Sequence, residues 1–255
     1  MTISKKVWKR YIDGLSKVND VAKQKIIAYI DSHDINSDEG RQALIDYAYG
    51  ISTKYGEAAS EFACQMYDAI SELEGADVPP AEPSEPPTYS EVAKAVNGTA
   101  KYVMQSAMIG TAIGRLVKQT GQDTTLKNAI RDKAYFAWIP SGDTCVFCLS
   151  IAAEGWKLAT RNALQGGHAE HIHGNCDCAY SIKHDKDTSY SSYDPKKYQE
   201  IISDADGSTE EEKLNSIRRK YYQENREKIL EQKQNAYEIH KELDSSVAEE
   251  VNVGD

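Results

Sequence analysis

The sequence predicts a mainly α protein, with long N-terminal helices, a small α+β module rich in cysteine and histidine, and a C-terminal helix. Three observations carry this. Apolar residues recur at intervals of three and four over long stretches before residue 134. Five of the seven prolines fall between Gly75 and Thr88. Four of the five cysteines fall between Cys145 and Cys178. The chain thus divides into an N-terminal helical region (1–74), a proline-rich linker (75–90), a second helical region (91–133), a Cys/His module (134–184) and a polar C-terminal region with one helix and an acidic tail (185–255).

In the first region Val7, Tyr11, Leu15, Val18, Ala22, Ile26 and Ile30 mark one helix, broken at Asp31–Ser37. Asn36 with Glu39 has the spacing of a capping box, in which side chains satisfy the first free amides of a helix. A longer stripe follows through Leu44, Ala48, Ile51, Tyr55, Ala58, Phe62, Met66, Ala69 and Leu73. At 1.5 Å per residue that helix spans about 50 Å, too long to stand alone, so it packs along another helix or a partner. Cys64 sits alone on it as a small apolar residue for burial. The prolines then impose an extended, semi-stiff linker, because proline fixes its own φ and disfavours helix just before itself.

Thr88 and Glu91 repeat the capping pattern, and Val92, Val96, Val103, Ala107 and Leu116 face inward on the helix that follows. Gly110 and Gly114 are spaced for close helix packing, and Gly121 is expected to end the helix, with a further short one over Thr124–Lys133. Tyr135–Ile139 is a short β-prone run stopped by Pro140. Asp143 is placed to cap a helix running from the first cysteine pair to Gly155–Trp156, and Ala179–Ile182 reads as a strand. Asp194-Pro195 starts one more helix, and Ser208 with Glu211 starts the last, which runs to about Leu243 on a thin apolar stripe.

The chain carries a net charge of −10 and no apolar run approaching the length of a membrane span. Net negative charge works against a surface that coats nucleic acid as a whole, while leaving room for a local basic patch. Arg218, Arg219, Lys220 and Arg226 form such a patch on the last helix, interleaved with tyrosines and glutamates; it reads either as a DNA contact or as a solvated charged face. The N-terminus lacks the apolar core of a signal peptide, which points to a reducing compartment and favours metal over disulfide at the cysteine cluster.

That cluster reads Cys145-Val-Phe-Cys148 and His173-Gly-Asn-Cys176-Asp-Cys178. A structural zinc ion takes four sulfur or nitrogen donors at about 2.0–2.3 Å. Cys145 and Cys148 can converge from a turn, Cys176 and Cys178 from one face of an extended segment, and His173 across Gly174-Asn175. These five candidates exceed four places, and the spacing does not say which is spare. His168 and His171 are weaker donors. Thiols without metal, or a reactive thiol, are the alternatives. The predicted fold is accordingly mainly α with an α+β zinc-bound module, in which metal binding supplies much of the folding energy.

The segment Trp138-Ile-Pro-Ser-Gly-Asp143-Thr-Cys145-x-x-Cys148, followed by His173 and Cys176-x-Cys178, resembles the minor capsid, or head morphogenesis, proteins of tailed phages related to the phage Mu F type. The match covers about residues 135–185. Gly174 and Asp177 depart from it, since family members often carry proline after the histidine and a basic residue between the last cysteines. The resemblance implies a low-copy virion protein with no catalytic residues. Such a protein is made in the bacterial cytoplasm, then sits inside the head near the portal, touches portal, capsid or scaffold proteins, and aids assembly or DNA delivery. A metal-dependent nuclease using His168, His171 and Asn175 is the enzymatic alternative, and a DNA-binding adaptor acting through the basic helix is a third reading.

Overall fold

The fold is taken from a computed structural model, which describes residues 1–99, 105–141, 145–161, 178–227 and 230–231. Its long elements are α1 (Lys5–Ser32), α2 (Asp38–Glu74), α3 (Tyr89–Thr99) and α4 (Gln105–Asp132). A three-stranded antiparallel sheet follows in the order β3-β2-β4, made of β2 (Tyr135–Ile139), β3 (Lys157–Leu158) and β4 (Ala179–Lys183). Helix α5 (Val146–Ala153) lies between β2 and β3 in the chain, and α6 (Pro195–Ser203) and α7 (Glu210–Glu224) follow the sheet. The N-terminal β1 (Thr2–Ile3) pairs in parallel with β5 (Ser189–Tyr190), tying the start of the chain to the segment after the sheet.

Helix α4 is the centre. Helices α1, α2 and α3 and strands β2 and β4 all pack on it. It is buried nearly all round, although Lys118, Thr120, Gln122, Thr124, Thr125 and Asn128 are among its buried residues. Its apolar residues form no single stripe because it has no solvent side to leave polar.

Gly121 does not end a helix, contrary to the sequence expectation; α4 continues through it to Asp132. A Cβ at Gly121 would lie 3.0 Å from the Ala59 carbonyl oxygen and 3.3 Å from Leu15 Cδ1. The glycine is there to let α1 and α2 approach. Gly110 serves the same purpose against α1, where a Cβ would stand 3.1 Å from the Lys23 carbonyl oxygen. The expected close packing at the glycines of this helix is therefore present.

In α2 the expected stripe holds at Leu44, Ala48 and Met66, which are buried, but elsewhere the buried face is rotated by about one residue. Ser52, Gly56, Ala59, Ser60, Ala63, Tyr67 and Ile70 face inward, while Phe62 and Leu73 are exposed. Small residues line the inward face because α1 and α4 come close there; the larger side chains are displaced outward into a groove shared with Val7. Cys64 is buried as expected, and its burial beside Glu61 and Asp68 pushes the thiol up to about 11. The N-cap of α2 is Ser37, whose Oγ accepts from Gly40 N at 3.0 Å, one residue after the expected Asn36.

The proline-rich segment is extended, as its composition dictates, but it is a docked strap. Asp68 Oδ1 accepts from Ala81 N at 2.7 Å, Asn128 Oδ1 accepts from Glu82 N at 2.9 Å, and Asn128 Nδ2 donates back to Glu82 O at 2.8 Å. Thr124 Oγ1 accepts from Ser84 N at 3.0 Å, and Arg131 donates to the carbonyls of Pro79 and Pro80. These bonds explain Thr124 and Asn128 inside α4: they replace the ladder partners that an extended, proline-rich backbone cannot find in itself. Thr88 and Glu91 then form the expected capping box at α3, with Glu91 Oε2 accepting from Thr88 N at 2.8 Å and Thr88 Oγ1 accepting from Glu91 N at 3.3 Å.

Strand β2 pairs with β4 over five residues, from Tyr135↔Lys183 to Ile139↔Ala179. Every residue of β4 is buried. Phe136, Ala137, Trp138, Ile139, Tyr180 and Ile182 join Leu15, Tyr67, Val117 and Ala129 in one continuous core. The sheet therefore does not form a separate module short of apolar area: its core is that of the helices, and burial there supplies folding energy with or without a metal. A second cluster, around Ile26, Leu44, Val92, Ile109 and Ile113, fills the opposite end of the bundle. Helix α6 starts at Asp194-Pro195 as expected, and α7 starts one residue later than expected, with a capping box of Thr209 and Glu212.

Candidate metal centre

Strand β2 leaves the core at Ile139, and β4 enters it at Ala179 directly opposite. Cys178, just before β4, therefore lies beside Ser141, which follows β2, and the Cys178 Sγ accepts from Ser141 N at 3.5 Å. Helix α5 packs on β2. Its N-cap is Cys145, whose Sγ accepts from Cys148 N at 3.4 Å. Sequence reasoning gave the capping role to Asp143, which lies outside the described residues.

Three of the five candidate donors are thus located. Cys148 and Cys178 are each 1% exposed and belong to the main core, and Cys145 packs against it. His173 and Cys176 lie outside the described residues, as do His168 and His171. Among the described residues, no group of three or more His, Cys, Asp or Glu side chains is arranged to hold a metal ion. What the geometry shows is narrower. Cys148 and Cys178, from distant parts of the chain, belong to the same core, and Cys145 Sγ and Cys178 Sγ each accept a backbone N–H group. N–H donors and a helix N-terminus are the surroundings that suit a sulfur carrying negative charge.

The aromatic residues around this end are neutral phenols. Burial first, then charge at Cys178, pushes Tyr198 above its ordinary value. Burial, then Glu154, Asp123 and Cys148, does the same to Tyr180. Tyr193 donates to the Ala152 carbonyl at 2.7 Å, fastening the last turn of α5.

A second polar cluster, at the opposite end of β4, was not foreseen. His184 Nε2 and Ser71 Oγ are 2.9 Å apart, and His184 N donates to Glu74 Oε2 at 2.6 Å. Beside it Tyr67 donates to Asp132 Oδ2 at 2.8 Å, and Arg131 reaches both oxygens of Asp132 through Nε at 2.7 Å and Nη2 at 2.9 Å. Burial opposes the Asp132 charge, but Arg131 and Tyr67 outweigh it, and the carboxyl is held below its ordinary range. Burial lowers the His184 imidazole, with Glu74 and Asp132 opposing. The cluster joins the C-terminal ends of α2 and α4 to the end of β4. The bonds from Tyr67 to Asp132 and from His184 to Ser71 and Glu74 join residues 65 to 113 apart, so no local spacing could have signalled it.

Of the basic residues named in the sequence, Arg218, Arg219 and Lys220 stand exposed on α7, and Arg226 is exposed just after it. Among the described residues no helix is long and apolar enough to cross a membrane.

Comparison with curated proteins and with solved structures gave no match. A family model described as VG15 protein matches residues 2–205, from β1 through the helices, the sheet and α6, and stops short of α7. The chain belongs to the VG15 protein family, a family of phage gene products.

Proposed function

We propose that the chain is a structural minor capsid, or head morphogenesis, protein, placed inside the phage head near the portal, where it aids assembly or DNA delivery. The observation that supports this is the family match, which runs unbroken through both the helical bundle and the cysteine-bearing sheet. The long helices offer exposed apolar side chains such as Phe62 and Leu73 to portal, capsid or scaffold neighbours. In this reading the cysteine end of the sheet holds zinc through four of Cys145, Cys148, His173, Cys176 and Cys178. The ion acts as a clasp between the start of α5 and the segment entering β4, and it takes no part in chemistry.

Mass spectrometry of purified procapsids and virions tests the placement: the chain is expected in both at low copy, and its absence from both would refute the reading. Metal analysis of the purified protein tests the clasp, with about one zinc per chain expected. Incubation with plasmid and magnesium or manganese tests the non-catalytic role; cleavage that disappears in His171→Ala would make the protein a nuclease.

A further inference from the structure

Helix α7 carries a stripe that the capsid reading does not use. Asn215, Arg218, Arg219 and Tyr222 follow one another at i, i+3, i+4 and i+7, so they share one face of the helix. Arg218, Arg219 and Tyr222 are exposed, and Arg218 Nη1 donates to Asn215 Oδ1 at 2.8 Å, which holds its guanidinium along the stripe. Arg226 comes next, past the turn at Asn225.

Glu211 lies on the same stripe, but one turn before Asn215 and about two turns before Arg218, so the arginine end of the face keeps its positive charge. Glu210, Glu211 and Glu212 occupy the first turn, and Glu212 is engaged by its own cap, accepting from Ser208 N at 2.7 Å. Glu224 projects from another side of the helix, six residues on from Arg218. The half-buried Leu214 and Ile217 turn toward the body of the protein, where α7 rests on α5 and α6. The arginine face is left to solvent. The family match ends at residue 205, before this helix.

We propose that this face docks the phosphodiester backbone of nucleic acid, with Arg218 and Arg219 on phosphates and Tyr222 stacked on a base or sugar. The planar guanidinium fork binds phosphate oxygens in pairs. A tyrosine lying between two arginines adds a stacking surface of the kind that single-stranded or distorted nucleic acid uses. An acidic protein segment would use the arginines but gain little from the tyrosine. Because the chain carries a net charge of −10, contact is confined to this face, and the site is small. The proposal does not depend on the capsid reading.

The test is fluorescence anisotropy of the full chain with short labelled duplex and single-stranded DNA across a salt series. Binding at low salt is expected, with log K falling against log [salt] at a slope of about −2 to −3, the signature of two or three phosphates. Arg218→Glu with Arg219→Glu is expected to abolish binding, and Tyr222→Ala to weaken the single strand more than the duplex. Lys220→Glu, the same charge change on a different side of the same helix, is expected to leave most of the affinity. No residue of α7 is buried, so these variants keep the fold, which circular dichroism verifies. Absence of binding at low salt overturns the proposal, as does salt-insensitive binding or equal loss in Lys220→Glu and the arginine pair. Competition by polyglutamate as strong as by DNA would assign the face to an acidic protein partner and overturn it too.

Discussion

Gly121 and Gly50 are both helix-interior glycines, and replacing each with alanine should move stability in opposite directions. Propensity alone favours alanine by about 1 kcal/mol at either position. At Gly50 nothing lies within 4 Å of the added Cβ, so Gly50→Ala is expected to keep most of that gain. At Gly121 the Cβ would stand 3.0 Å from the Ala59 carbonyl oxygen and 3.3 Å from Leu15 Cδ1. The leucine tip can turn aside. The carbonyl belongs to the middle of α2 and can move only if α2 and α4 separate. Overpacking of this kind costs about 1–3 kcal/mol, which exceeds the propensity gain and leaves a net loss of about 1 kcal/mol. For a chain of this size each kcal/mol shifts the melting temperature by about 2–4 °C. Urea titration and differential scanning calorimetry of the two variants beside the wild type measure both signs. If Gly121→Ala is as stable as the wild type or more so, the tight contact of α2 with α4 is wrong, and so is the reason given for α4 running through a glycine.

Other perturbations separate the remaining interactions. Asn128→Ala leaves Glu82 N and Glu82 O without their partner and should cost about 1–3 kcal/mol, with new proteolytic cleavage in the proline-rich strap as the direct readout. The Asp132 carboxyl is depressed in the folded protein, so its stabilisation is complete above the unfolded carboxylate range and is lost as pH falls through the folded value. Asp132→Asn should therefore flatten the acid limb of a plot of urea midpoint against pH. His184 is also lowered, which means that folding favours the neutral ring; stability should rise with pH up to the ordinary histidine range, and His184→Gln should remove that rise. Zinc removal by a chelator is expected to expose cysteine thiols to a chromogenic disulfide reagent while helical circular dichroism stays nearly constant, because β2 and β4 share their core with the helices. Global unfolding on chelation would show instead that the clasp carries the fold.

Local chemistry made much of this legible in advance. The capping box at Thr88 and Glu91, the Asp194-Pro195 start, the β-prone run at Tyr135–Ile139 and the strand after Cys178 depend on residues within a few positions of one another, and each is where its residues put it. The cysteine pattern also located one end of the sheet, since a C-x-x-C turn and a cysteine-bearing approach to a strand are local features. The long α2 stripe was harder. Its hydrophobic residues imply one face, and Leu44, Ala48 and Met66 are buried on it, but in the middle of the helix the bundle buries Ser52, Gly56, Ala59, Ser60 and Ala63 instead, because backbones come close there.

What the amino-acid order determined alone was the kind of most elements but not always their extent, since α4 runs through Gly121 and α7 ends at Glu224, together with the metal-ligating chemistry on offer at Cys145, Cys148 and Cys178 and the charge that keeps polyanions from most of the surface. Tertiary structure decided the rest: that the polar α4 is the most buried helix, that the prolines form a strap bonded to it, that the cysteine-bearing sheet shares the helical core, and that His184 meets Ser71 and Glu74. The reason is one of range. Capping, turns and periodicity are written within a helical turn of sequence, whereas burial of Asn128 or His184 depends on partners 46 to 113 residues away, which only the assembled chain brings within a hydrogen bond's length.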